Sequence, residues 1–494
     1  MKYISTRGID KERVSSAFAI KKGLAGDGGL YMPEETPSLG DKELKELLPL
    51  SYPERASKIL AKFLTDYEYD ELLADTKAAY SKEKFGPNPT PITGLGENMY
   101  MLELWHGPTA AFKDMALQIM PRLFVRALQK TGEARRAMIL VATSGDTGKA
   151  ALEGYKDVEG TCIKVFYPTD GVSTVQKLQM QTQEGRNVSV VGIRGNFDDA
   201  QSGVKEIFSD PNMARDLNES GIFLSSANSI NWGRLVPQIV YYISAYCDLL
   251  KSGAIAEGEV IDVTVPTGNF GNIFAAYIAK KMGLPIGKLI VASNKNNILT
   301  DFIRTGVYDK NREFYSTMSP SMDILISSNL ERLLFVTLGA QKTRGYMQSL
   351  KECGRYELTE EDRVIALADF VGYYTDEEKT SGTIKDIYEN KNCLIDTHTA
   401  VAVYAARCYM NENKAERKML TASTASAYKF AMDVYRSLTE KEAVSDIEAL
   451  AALATLTHVS IPYPLLGLDE KVVLHDGVID KNDMAKSVRE FAKN

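Results

Sequence analysis

Ala137-Met138-Ile139-Leu140-Val141-Ala142 runs directly into Thr143-Ser144-Gly145-Asp146-Thr147-Gly148-Lys149. Six apolar residues that break at a polar Gly/Ser turn predict a strand buried on both faces, the habit of parallel sheets. The theme repeats outward at Thr161 to Tyr167, Val188 to Ile193, Ile222 to Ser225, Val260 to Val265 and Leu289 to Ala292. Between these runs Leu235, Val236, Ile239, Val240, Ile243, Tyr246 and Leu250 recur at helical spacing. Strands alternating with amphipathic helices predict an α/β fold with a mainly parallel sheet. Such sheets bind ligands at the carboxyl ends of their strands, which directs attention to the loops there.

Composition narrows the classes further. The 494 residues are 44% hydrophobic and 25% charged, close to soluble globular averages and unlike disordered or collagenous chains. At roughly 100–200 residues per domain, about three domains are expected. A net charge of -7 without a basic block argues against a nucleic-acid partner. The five cysteines (Cys162, Cys247, Cys353, Cys393, Cys408) are scattered and form no Cys-x-x-Cys pair. They predict reduced thiols in a cytoplasmic protein, with neither a disulfide framework nor a metal site. The stretch Met1 to Arg7 lacks a secretory apolar core, and Ala449 to Leu456 is too short to span a membrane. Up to about residue 95 the pattern is helical, interrupted by Gly26-Asp27-Gly28-Gly29, and Gly86-Pro87-Asn88-Pro89 marks a boundary. Helical patterning returns after about residue 320, either as a late part of the same fold or as a separate lobe.

Three loops carry chemistry. Gly268-Asn269-Phe270-Gly271-Asn272 follows the strand Val260 to Val265 and opens a helix expected from Ile273. Its glycines let the backbone curl toward a ligand, and the free N–H groups of a helix start suit a phosphate; a ligand-free tight turn fits the same residues. Thr143 to Lys149 looks like a P-loop but fails twice, with Thr143 in place of the first Gly and Ala150 in place of the magnesium-binding Ser or Thr. A donor-rich turn suited to a carboxylate remains. In His106-Gly107-Pro108-Thr109-Ala110-Ala111-Phe112-Lys113-Asp114, the apolar run before Lys113 could desolvate its amine, favouring a nucleophile capable of a Schiff base. His106, with no carboxylate in view, reads as structural rather than catalytic. An amine, a phosphate cradle and a carboxylate turn together are what pyridoxal phosphate needs to act on an amino acid.

These three segments resemble threonine synthase of the longer, bacterial and fungal type. So do Asp27-Gly28-Gly29-Leu30-Tyr31, Asn228-Ser229-Ile230-Asn231-Trp232-Gly233-Arg234, Ser321 to Arg332 and Asp396-Thr397-His398-Thr399-Ala400-Val401, in order over nearly the whole chain. The resemblance implies a two-lobed fold type II pyridoxal 5'-phosphate enzyme, related to the tryptophan synthase β-subunit, with an additional N-terminal domain. It implies residues 1–95 as that domain, 96–235 as a smaller lobe with the Schiff-base lysine, and 236–494 as a larger lobe with the phosphate cup. The activity implied is conversion of O-phospho-L-homoserine and water to L-threonine and phosphate by a cytoplasmic monomer or homodimer. Lys113 becomes the Schiff-base lysine, Gly268, Asn269, Phe270, Gly271 and Asn272 the cup, and Asp146 a neighbour of the pyridine 3-oxygen. Ser144 and Thr147 would hold the substrate carboxylate. The family's Thr-Ala-His-Pro-Ala-Lys-Phe segment appears here as Thr424-Ala425-Ser426-Ala427-Tyr428-Lys429-Phe430. Thr424 is retained beside the pyridine nitrogen, the His-Pro pair is absent, and Ser426 could serve as an alternative hydroxyl.

Asn228 and Arg234 are expected to bind the substrate's phosphate, since an arginine fork beside a helix start suits a dianion. Arg234 as a solvated helix-start residue is the alternative. Without that second anion site, the chain would instead be a phospholyase or dehydratase releasing a keto acid. A non-catalytic nucleotide-binding protein is a further alternative, disfavoured by the failed P-loop.

Overall fold

The computed structural model describes every residue except Ser144, Asp170, Gly171 and Asn494. Two parallel sheets organise the molecule. The first has five strands in the order Val478–Asp480, Val188–Arg194, Thr161–Pro168, Arg136–Ala142 and Ile222–Ser225, all parallel. Its continuous apolar runs follow from burial on both faces. Ile139, Val141, Ile163 and Val165 join the main core, while the alternating Met138, Leu140, Cys162 and Phe166 join a separate cluster on the other side.

The second sheet has six strands in the order Phe370–Tyr374, Ile286–Ser293, Ile261–Pro266, Met419–Ser423, Met99–Glu103 and Ile92–Gly96. Only the final pair is antiparallel. Phe370–Tyr374 and Met419–Ser423 thus make the region after residue 320 a late part of the same fold. The lobes are interleaved along the chain, which contiguous boundaries near 95 and 235 did not anticipate. Met99–Glu103 pairs with Met419–Ser423, and Val478–Asp480 pairs with Val188–Arg194. Strand pairing is non-local, so chain position alone does not assign a short strand to a sheet.

The N-terminal unit joins a small antiparallel pair, Tyr3–Ser5 with Tyr31–Pro33, to helices that include Ser16–Lys22 and Tyr52–Phe63. In its Gly-rich turn, burial opposes ionisation of Asp27. The carboxylate nevertheless accepts hydrogen bonds from the Ser5 hydroxyl and the N–H groups of Ile9, Asp10 and Gly29, which together hold its pKa below the ordinary value.

The unit packs on the helix Trp232–Lys251, where Arg55 Nη1 lies 2.6 Å from Asp248 Oδ1 and Trp232 meets Tyr3 and Phe63. It also grips the helix Leu330–Cys353, since Thr6 and Arg7 donate to Glu331 at 2.6 and 3.0 Å. No described helix is long and apolar enough to cross a membrane.

Candidate active site

Lys113 is delivered by a tightly determined loop. Ala110 has φ 57°, a conformation unusual outside glycine that persists only where surroundings enforce it. Asp114 enforces it from one side, accepting from the Thr109 N–H at 2.8 Å and hydroxyl at 2.7 Å. Burial outweighs these bonds and pushes the Asp114 pKa up to about 6. From the other side, the Phe112 N–H donates to the Thr424 carbonyl at 2.8 Å and the Ser426 N–H to the Ala110 carbonyl at 3.1 Å. The segment singled out around Thr424 therefore lies against the lysine loop, with Thr424 itself buried.

Lys113 is only 9% exposed, and its Nζ lies 3.3 Å from Asp146 Oδ2. Burial pulls its pKa down, Asp146 opposes this, and the charges of Lys429 and Arg234 reinforce it; the net direction is downward. Burial acts against ionisation of Asp146 too, but the charges of Lys429 and Lys113 prevail and hold its carboxyl far below the usual range.

Lys429 went unnoticed as a site residue in the sequence. It is 1% exposed, and its Nζ lies 2.9 Å from Asp146 Oδ1, 3.0 Å from the Thr109 carbonyl and 2.9 Å from Gln179 Oε1. Gln176 Nε2 donates to the same Asp146 oxygen at 2.8 Å. Ser426, the alternative hydroxyl, is used locally: its oxygen accepts from the Tyr428 N–H at 3.4 Å and caps the short helix Ala427–Phe430. His106 does have a carboxylate partner, Glu103 Oε2 at 2.6 Å, and stacks on Trp105. Glu103 also accepts from the Thr93 hydroxyl on the neighbouring strand, which fits the structural reading of His106.

The glycine cup lies at the carboxyl end of Ile261–Pro266. Its carbonyls are tied away from the opening: the Ser327 hydroxyl donates to the Gly268 oxygen at 2.7 Å, and Asn329 donates to the Asn269 oxygen from Nδ2 at 2.9 Å and from N–H at 3.1 Å. Phe270 has φ 63° and a buried ring, and the helix begins at Gly271, two residues before the expected Ile273. The first N–H groups of a helix lack intrahelical acceptors, so this cup presents donors outward. Asn272 Oδ1 accepts from the Tyr241 and Tyr242 hydroxyls at 2.6 and 2.5 Å, and its Nδ2 has no acceptor among the described residues.

A Cβ at Gly268 would stand 2.9 Å from the Ser321 carbonyl oxygen. That backbone is itself pinned, because the Ser321 N–H donates to His398 Nε2 at 3.1 Å and His398 Nδ1 meets Asp396 Oδ2 at 2.9 Å. Gly268→Ala is accordingly expected to displace the cup and weaken pyridoxal phosphate binding by about 1–3 kcal/mol, the scale of overpacking. Fluorescence titration with the cofactor checks this; unchanged affinity would place the phosphate elsewhere.

The other expected residues converge only in part. Thr147 is half-buried at the start of Asp146–Tyr155, whereas Ser144 lies outside the described residues. The Thr143 hydroxyl accepts from the N–H groups of Gly145 and Gly148 at 3.0 and 2.9 Å, so the turn satisfies part of its own donor set. Asn228 is half-buried, and Arg234 is 4% exposed, which rules out the solvated alternative. Its Nη1 donates to the Ala227 carbonyl, its Nε is buried without an acceptor, and no carboxylate pairs with it among the described residues. Burial pushes its pKa down to about 10.

A buried amine beside a carboxylate, a donor-lined cup at a parallel strand end and a second buried cation fit an anionic aldehyde cofactor acting on an anionic substrate. Together with the two interleaved parallel sheets, they define a fold type II pyridoxal-phosphate-dependent enzyme. The Pyridoxal-phosphate dependent enzyme family matches residues 84–425, and the Threonine synthase N terminus family matches residues 2–80. The chain belongs to the threonine synthase family. It is 38% identical over 459 residues to threonine synthase of Pseudomonas aeruginosa, covering 92% of each chain. The solved threonine synthase of Brucella melitensis, a structure with pyridoxal phosphate bound, is 36% identical with a TM-score of 0.87 and full coverage of both chains. Human threonine synthase-like 1 is 41% identical over 89% of this chain, which spans only 61% of that relative's length.

Proposed function

We propose that this protein converts O-phospho-L-homoserine and water to L-threonine and phosphate. The observation that carries the reading is Arg234, a buried guanidinium that meets no carboxylate among the described residues and lies close enough to Lys113 for its charge to depress the lysine's pKa. A buried cation left unpaired is costly, and an anionic ligand relieves that cost.

Pyridoxal phosphate, when bound, supplies an electron sink conjugated with the substrate's amino group. Gly268 to Asn272 would hold its phosphate, Asp146 would serve its 3-oxygen and the Thr424 hydroxyl its ring nitrogen. A hydroxyl there leaves the sink weaker than a carboxylate would. Ser144 and Thr147 hold the substrate carboxylate, while Arg234 and Asn228 hold its phosphate. Lys113 would hold the cofactor at rest and, once free, would remove the Cα proton. It then assists proton loss at Cβ as phosphate leaves Cγ toward Arg234. Lys113 returns a proton at Cγ, the hydroxyl of water then bonds to Cβ while its remaining hydrogen passes to the released phosphate, and Lys113 returns the last proton at Cα. An amine that acts as base and acid in turn works best with a pKa drawn toward neutrality, the direction that burial drives here.

We place the reaction in the cytoplasm. Cys162, Cys247 and Cys393 are free thiols that burial pushes to about 11, consistent with unreactive side chains in a reducing compartment.

The test is a product assay. Incubation with O-phospho-L-homoserine should yield threonine and phosphate in equal amounts. Release of 2-oxobutanoate in place of threonine would make the protein a phospholyase.

A further inference from the structure

We propose that Lys429 is a positioning residue that takes up one oxygen of Asp146 and thereby frees the Lys113 amine to lose its proton and capture the cofactor. The inference rests on the reading of Lys113 as the cofactor-bearing lysine.

Two lysines flank one buried carboxylate, and their contacts differ in kind. Among the described residues, Lys429 Nζ donates to the Thr109 carbonyl at 3.0 Å and to Gln179 Oε1 at 2.9 Å, and forms an ion pair with Asp146 Oδ1 at 2.9 Å. Among the described residues Lys113 has one hydrogen-bonding partner, Asp146 Oδ2 at 3.3 Å. Lys429 is thus tied down by two acceptors and an ion pair, whereas the contact of Lys113 with the same carboxylate is longer. The position of Lys429 is also fixed by backbone, because its helix is capped by Ser426 and residues 424–426 pair with the Lys113 loop. The same segment therefore orients both amines.

The electrostatic consequence has a definite sign. The charged groups facing Lys113 are Asp146, Lys429 and Arg234; Lys429 in turn also faces Asp114 and Lys149. Asp146 favours the protonated Lys113, and the two cations disfavour it. Neutralising Lys429 removes one of those cations and leaves Asp146 to Lys113 and the uncharged Gln176. Lys113 must then hold its proton to higher pH. Capture requires the neutral amine: its lone pair forms a bond to the aldehyde carbon of pyridoxal phosphate, and the aldehyde oxygen departs as water with the two amine hydrogens.

The experiment follows recapture of pyridoxal phosphate by the full-length chain freed of it, as visible absorbance against pH, with borohydride bleaching as the control for attachment. Lys429→Met is expected to raise the midpoint of the capture rate by about one pH unit or more and to slow capture near pH 7 by about tenfold. Lys429→Cys should show the same rise, and alkylation that installs an aminoethyl group on that cysteine should reverse it, which a purely structural role would not produce. If Lys429→Met does not fold, the Cys variant before and after alkylation decides the matter. A folded Lys429→Met or Lys429→Cys with the parent's midpoint overturns the proposal, as does a rise that the aminoethyl group leaves in place. Lys113→Ala separates the two readings: bleachable absorbance persisting there refutes the assignment of Lys113, whereas its loss with an unmoved Lys429 midpoint refutes only the role given to Lys429.

Discussion

Lys113→Ala should remove both the borohydride-sensitive visible absorbance and turnover of O-phospho-L-homoserine, while far-UV circular dichroism stays that of the folded protein. The substitution deletes the only reacting amine in the proposed sequence. Acid–base catalysis of a single proton transfer contributes about 10²–10⁴-fold, and Lys113 acts at more than one carbon, so the loss should reach at least the upper end of that range. Folding should survive because the loop is held by other groups, namely Asp114 on Thr109 and the backbone pairing with Thr424 and Ser426. Appreciable turnover by the folded variant would exclude Lys113 as the base.

Arg234→Ala is expected to leave the visible absorbance intact and to cost about 2–4 kcal/mol in kcat/KM for O-phospho-L-homoserine, the scale of removing one preorganised charge donor. The leaving group carries about two negative charges near neutral pH, and in the proposed reaction Arg234 would meet it from a helix start whose geometry is fixed independently. Asn231 caps that helix with its side chain, accepting from the Gly233 N–H at 2.9 Å, and donates to the Ile20 carbonyl of the N-terminal unit at 2.8 Å. Arg234→Lys should recover only part of the loss, since an ammonium cannot reproduce the two parallel donors of a guanidinium. Near-parental kcat/KM in Arg234→Ala would move the phosphate site to another cation.

The sequence disclosed the parallel strands because burial on both faces writes itself as unbroken apolar runs; Ala137 to Ala142 and Thr161 to Tyr167 are each within one residue of the observed strands. Ile92–Gly96 and Val478–Asp480 were not legible. They are short, lie at sheet edges and carry mixed polarity, so no period of two stands out. The turn Gly268 to Asn272 and the loop before Lys113 were legible as strand-end loops because glycines and a proline punctuate them. Lys429 was not, since nothing in its neighbours' spacing shows that the chain folds back to set it against Asp146. The partnership of Glu103 with His106 was missed although the two are only three residues apart. It depends on the chain leaving the strand at Glu103, and the turn was read without that strand.

The edge strand Val478–Asp480 bears on synthesis. About 280 residues separate it from its partner Val188–Arg194. At roughly 5–20 residues per second, a ribosome makes that interval in about 14–56 s. For that time the nascent chain displays an open, hydrogen-bond-hungry sheet margin, the kind of surface that invites pairing with other chains. Expression yield should therefore respond to chaperone supply and to translation rate over residues 195–477 more than to the stability of the finished enzyme.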